Sequence, residues 1–182
     1  QDARLENLVC LERRRGRGAN ANPDGRFEIL GRERAFDGWD PQGEPEPLRT
    51  EVTVEKPRTI ITRNESPDIS FDRSINPYRG CEHGCAYCFA RPSHAYMGLS
   101  PGLDFETKLF YKADAANVLE QELSRPRYVC KPIMLGANTD PYQPVERRML
   151  VTRSILTVLA KCRHPVSIVT KGVLVARDID LL

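Results

Sequence analysis

Cys81, Cys85 and Cys88 fall within eight residues, in the stretch Arg79-Gly80-Cys81-Glu82-His83-Gly84-Cys85-Ala86-Tyr87-Cys88, a C-x3-C-x2-C spacing. The other three cysteines, Cys10, Cys130 and Cys162, are scattered. A disulfide framework spreads its cysteines along the chain, and a reducing compartment keeps thiols free, so the cluster reads as metal-binding. Three thiolates on one short loop suit three corners of a cubane. A [4Fe-4S] cluster usually takes four cysteines. No fourth lies nearby here, which leaves one iron without a protein ligand, and an open coordination site is what chemistry at a metal requires.

The alternative for the same cysteines is zinc, in a Cys3His site completed by His83 or His94, within a zinc-dependent nucleic-acid-binding module. Structural zinc sites usually join two separated ligand pairs. Here the thiols are bunched, which favours iron–sulfur. His83, inside the loop, reads as a polar loop residue or a hydrogen-bond donor beside the ligands.

The elements that must hold this loop begin after Ser66-Pro67. Ile69, Phe71, Arg73 and Ile75 alternate over 69–76, which predicts a first strand running through Pro77 into the cysteines. Asp114 is placed to cap a helix carrying Val118, Leu119, Glu122 and Leu123, which ends before Pro126. Ile133-Met134-Leu135 predicts a buried strand ending in the polar loop Gly136 to Asp140. Val151, Ile155, Val158 and Cys162 recur at helical spacing over 145–162, from Pro144, with basic residues on the outer face. Val166 to Thr170 predicts a third strand. Strand, helix, strand, helix, strand implies parallel strands joined by crossover helices.

Three such strands are few for a parallel sheet, because a full barrel takes roughly 200 residues or more. The bland reading is a small three-stranded domain. The favoured expectation is a fragment of a longer protein, which the opening residue Gln1 also suits. Residues 1–66 read as an irregular N-terminal extension. Ten Gly or Pro fall between Gly16 and Pro47, which favours turns over packed elements. Its run Arg13-Arg14-Arg15-Gly16-Arg17-Gly18 reads as a solvated basic tail rather than a phosphate-binding arm.

Composition sets wide bounds. Lys and Arg number 27 against 25 Asp and Glu, a net charge of +2, so bulk charge predicts no partner. Leu, Ile, Val and Phe total 44 of 182 residues, above the roughly 20% below which chains tend to stay disordered. No apolar run comes near the roughly 20 residues needed to cross a bilayer. The expectation is a soluble, unexported, cytoplasmic protein with no membrane partner.

With these residues in place, the sequence resembles the radical SAM superfamily, whose members carry the C-x3-C-x2-C spacing with an aromatic residue before the last cysteine, matched by Tyr87. Ser74-Ile75-Asn76-Pro77-Tyr78-Arg79-Gly80, Gly136-Ala137-Asn138-Thr139-Asp140-Pro141-Tyr142 and Val169-Thr170-Lys171 look like the photolyase-like branch related to spore photoproduct lyase. The likeness spans roughly 67–182. The arginine–glycine run followed by Asn20, Asn22, Pro23 and Arg26-Phe27-Glu28 looks like a leader that some members carry.

The resemblance implies an α/β fold, a partial parallel (βα) barrel truncated after about three βα units, with 67–182 as the N-terminal part of the core domain. It implies an enzyme of reductive SAM cleavage, lyase or transferase class open, with Cys81, Cys85 and Cys88 on a [4Fe-4S] cluster. S-adenosyl-L-methionine (SAM) on the open iron would yield a 5′-deoxyadenosyl radical that takes a hydrogen atom from an unidentified substrate, nucleic acid being one candidate. Implied cofactor-binding residues are Tyr87, Asn138, Thr139 and Lys171. The plainer readings are a packing role for Tyr87, a polar turn for Asn138 and Thr139, an ordinary solvated Lys171, and a helix cap for Asp140. The implied partner is a one-electron donor such as flavodoxin or ferredoxin. No catalytic residue is assigned. Spore photoproduct lyases carry a hydrogen-donating cysteine near the end of the second strand, and Gly136 to Asp140 has none, which argues against repair of that lesion.

Overall fold

A computed structural model describes residues 16–28 and 48–182. Among the described residues, seven short strands form two mixed sheets. In the first, β1 (Glu51–Glu55) lies parallel to β5 (Lys108–Lys112), and β4 (Tyr78–Arg79) pairs antiparallel on the other side of β5. In the second, β3 (Arg73–Ile75), β6 (Ile133–Leu135) and β7 (Val166–Ile168) run parallel, and β2 (Thr62–Arg63) joins antiparallel beside β3. The predicted parallel strands are present, with Ser74 opposite Met134 and Met134 opposite Ser167.

The architecture is mixed α/β and not a closed barrel. Two antiparallel strands and a second sheet depart from the all-parallel expectation. The irregularity expected for 1–66 is corrected over its last part. Glu51-Val52-Thr53-Val54-Glu55 has the β-branched alternation of a strand, and it pairs along its full length with β5. The polar character of that stretch hid it: only Val52 and Glu55 are partly buried. The run Arg13 to Arg15, and Cys10, lie outside the described residues.

The first predicted strand is shorter than 69–76, because the chain from Asn64 to Ile69 is held in turns. The Asn64 side chain accepts the Ser66 N–H, and Ile69 is exposed. Between helix α1 (Leu103–Thr107) and α2 (Ala115–Leu123) comes β5, which periodicity did not single out. Asp114 does occupy the N-cap of α2, but its side chain makes no capping bond.

The predicted 145–162 helix is two helices, α3 (Glu146–Met149) and α4 (Val151–Lys161), broken at Leu150 with φ of 56°. The break has a physical cause. The fully buried Glu146 carboxylate accepts the N–H groups of Thr152 and Arg153 at 2.9 and 3.2 Å, capping the orphan donors at the start of α4. Arg177, from a 3-10 turn at Val173–Asp178, pairs with the same carboxylate at 2.9 Å. One core joins Ile75, Leu109, Leu119, Ile133, Leu135, Ile155 and Leu159, so helices α2 and α4 lie against strands of both sheets.

Candidate metal centre

The cysteine loop leaves β4 through Gly80, whose φ of +74° is open to glycine and strained for other residues. A Cβ there would stand 2.7 Å from Leu109 Cδ2 and 2.9 Å from the Phe105 carbonyl oxygen. Cys81 follows, buried, its N–H donating to the Phe105 carbonyl at 2.9 Å. Burial pushes the Cys81 thiol up to about 11. Gly84, at φ of +60°, turns the chain toward Cys85, and the Cys88 N–H donates back to the Cys85 carbonyl at 3.2 Å. Cys85 and Cys88 are half-buried, and all three are free thiols.

Two other loops meet this one. The segment after β7 brings the Lys171 ammonium to 2.9 Å from Cys85 Sγ, and that hydrogen bond raises the Lys171 pKa. The segment after β6 supplies Asp140, which ties the loops together. Its Oδ1 accepts from the Tyr142 N–H at 2.8 Å and the Thr170 hydroxyl at 2.6 Å, and its Oδ2 from the Lys171 N–H at 2.9 Å. His83 Nε2 stands 3.3 Å from the same oxygen, close enough for charge but off the line of a hydrogen bond. Burial works to raise the Asp140 pKa, but His83, Thr170 and the two backbone donors outweigh it and hold the carboxyl down at about 2.

The residues singled out from sequence divide. Lys171 reaches the cysteines. Asn138 lies half-buried, its N–H held at 2.8 Å by the Asn76 side chain. The Thr139 hydroxyl is buried and donates to the Tyr78 carbonyl at 2.8 Å, so it braces β4 from within. The Tyr87 ring is 88% exposed, which rules out packing under the loop in this conformation. His94 is buried with Nε2 at 2.9 Å from the Lys108 carbonyl, and burial lowers its pKa. Its Nε2 is thus already engaged.

Among the described residues, no group of three or more His, Cys, Asp or Glu side chains is arranged to hold a metal ion, so Cys81, Cys85 and Cys88 share a loop without forming a ready-made site. The fit to a cluster therefore rests on donor chemistry. Three free thiols stand on one glycine-shaped loop, two of them reaching solvent, with a cation beside one of them.

Comparison with known proteins adds relatives without described functions. Uncharacterized protein Rv2578c of Mycobacterium tuberculosis is 46% identical over 114 residues, which cover 63% of this chain and 34% of that protein. Uncharacterized protein Mb2609c of Mycobacterium bovis matches to the same extent. Uncharacterized protein MJ0683 of Methanocaldococcus jannaschii is 33% identical over 112 residues, 59% of this chain and 38% of that protein. The chain spans about a third of the length of the curated relatives it matches. No family model and no solved structure matches it.

Sequence reasoning missed Gln143. It is fully buried, its Nε2 donating to the Gly80 carbonyl at 3.1 Å and its Oε1 accepting the Glu82 N–H at 2.9 Å. One side chain thus pairs with backbone on both sides of Cys81, as a neighbouring strand would. The only signal was its place just after Asp140-Pro141-Tyr142.

Proposed function

We propose that this chain carries the cluster-binding and SAM-binding end of a radical SAM enzyme of the photolyase-like branch, with Cys81, Cys85 and Cys88 as ligands of a [4Fe-4S] cluster. In this reading β3, β6 and β7 are the first strands of a partial parallel barrel. The observation that carries the proposal is the Lys171 ammonium 2.9 Å from Cys85 Sγ, contributed by a loop 86 residues away. Held by the three thiolates, a cluster with an open iron would supply the one-electron chemistry for reductive cleavage of SAM.

The chain's own residues then bind and orient. Lys171 would offer a cation to the SAM carboxylate, and Asp140 fixes the Lys171 backbone while the Lys171 side chain reaches the cysteine loop. Asn138 stands on the loop between them, and Thr139 acts behind it by bracing β4. The exposed Tyr87 ring offers an apolar face beside the last cysteine. In the zinc alternative His94 would have to ligate through Nδ1, which is buried without a partner, because its Nε2 is engaged by the Lys108 carbonyl. A one-electron donor such as flavodoxin or ferredoxin is the partner this chemistry needs. The substrate is a hydrogen-atom donor, with nucleic acid as the candidate that family likeness suggests.

The test is anaerobic reconstitution with iron and sulfide on the full product of the reading frame, then reduction with dithionite in the presence of SAM. Broad brown absorbance with formation of 5′-deoxyadenosine and methionine is the expected result. A fully loaded cluster that yields no 5′-deoxyadenosine sinks the enzymatic reading, and a colourless protein with one zinc supports the zinc module.

A further inference from the structure

Glu106, on α1, is a fully buried carboxylate whose partners come from distant parts of the chain. Its Oε2 accepts the Arg17 N–H at 2.6 Å, and both oxygens lie 3.1 Å from the Gly18 N–H. Arg91 pairs with its Oε1. Arg91 in turn donates through Nε to the Cys85 carbonyl at 2.9 Å. A buried carboxylate needs such donors, because desolvation without them is costly. Here two of the three donors are backbone groups of the N-terminal segment.

That segment is packed as well as bonded. A Cβ on Gly18 would stand 1.8 Å from the Gly84 carbonyl oxygen, and a Cβ on Gly84 would stand 2.4 Å from Arg17 Cβ. Backbone therefore lies on backbone at the point where the cysteine loop turns. Arg17 also reaches Glu82 at 3.5 Å, inside the loop. Farther along, the Leu103 N–H donates to the Ala21 carbonyl, Asn22 exchanges bonds with Asp104, and the Ser100 hydroxyl donates to the Pro23 carbonyl at 2.6 Å. The solvated tail expected for Arg17 and Gly18 is, over these residues, a docked strap.

We infer that residues 16–23 and Glu106 form a clamp that fixes the cysteine loop from behind, with Glu106 as its positioning residue. The loop's grip on metal thereby depends on the N-terminal segment, a consequence that rests on the function proposed above. The clamp itself does not, because it holds peptide groups in the metal-free chain. Gly16, Gly18 and Arg17 are required as residue types: the glycines for close approach, the arginine for its bond from Nη1 to the Glu106 carbonyl at 2.6 Å.

The experiment uses the full chain, reduced and metal-free, treated with N-ethylmaleimide while each cysteine is followed by mass spectrometry. Gly18→Ala and Glu106→Gln are the variants, with Arg17→Ala as a milder one that keeps the strap backbone. The clamp predicts that Cys81, Cys85 and Cys88 react at least about tenfold faster in both main variants, as expected for local opening of the loop. The exposed Cys130 and Cys162 serve as internal controls and should keep their rates. Unchanged loop rates in Gly18→Ala and Glu106→Gln overturn the inference. Acceleration of Cys130 and Cys162 along with the three loop thiols also overturns it, because that reports general loosening rather than a clamp on the loop. Since no metal is present, a chain that never takes up iron defeats the proposed function and leaves this result standing.

Discussion

The Lys171 ammonium hydrogen-bonds the Cys85 sulfur at 2.9 Å, joining the loop after β7 to the cysteine loop. Lys171 does not arrive there by itself. Its backbone N–H is fixed by Asp140, which also holds Thr170 and faces His83, so one carboxylate on the β6 loop aligns the other two. Parallel strands deliver this arrangement, because β3, β6 and β7 all point their C-terminal ends the same way.

Replacing Lys171 by alanine should weaken SAM binding and leave iron content unchanged. Losing a charge-assisted contact costs about 1.5–3 kcal/mol, or roughly 10- to 100-fold in affinity. Isothermal titration of the anaerobic reconstituted protein measures it, and an unaltered dissociation constant returns Lys171 to an ordinary surface role.

Asp140 gives the fold an acid-sensitive latch. Its carboxyl falls from 3.8 to about 2 on folding, so the folded state prefers the charged form. A lowered carboxyl contributes stability that is complete above the unfolded value and is lost as pH falls through the folded value. Stability followed by urea melts should therefore drop between about pH 5 and pH 2, and Asp140→Asn should flatten that limb while lowering stability at neutral pH. An identical acid limb in the variant would exclude Asp140 as its source.

Gln143→Leu keeps the approximate volume and removes both hydrogen bonds that flank Cys81. The Gly80 carbonyl and Glu82 N–H would be left without their partner, at about 1–3 kcal/mol for each group that stays dry. A urea midpoint shifted by less than the error of the measurement would mean that water replaces the amide.

What the sequence disclosed and what it concealed follow from range. The C-x3-C-x2-C loop, β6 and the apolar face of α4 are local patterns, legible from spacing alone, and Lys171 reaches the cysteine loop because parallel topology brings strand ends together. Gln143, Glu106 and the strap at Arg17-Gly18 depend on partners 61 to 89 residues away. No window of sequence contains both halves of such a contact. The break at Leu150 was hidden for the same reason in miniature: Glu146 reads as one more helical residue until its carboxylate is seen capping Thr152 and Arg153. β1 and β5 were overlooked because each is charged at both ends and β1 finds its pairing partner in β5, far along the chain.

The remaining cysteines should be neither ligands nor relays, and topology supplies the reason. Cys130 precedes β6, so it stands at the strand end opposite the one that leads toward the cysteine loop, and it is exposed. Cys162 is the C-cap of α4, an 11-residue helix that starts beyond the β6 loop and runs about 16 Å at 1.5 Å per residue back toward the start of β7. Cys10 lies outside the described residues, so it is included in the test by substitution rather than by geometry. The triple change of Cys10, Cys130 and Cys162 to alanine should retain iron content, the brown absorbance and SAM cleavage. Single changes of Cys81, Cys85 or Cys88 should abolish all three, because each removes one of only three protein ligands. Iron lost from the triple variant while its circular dichroism stays native would place a ligand outside the loop and overturn the assignment of the centre.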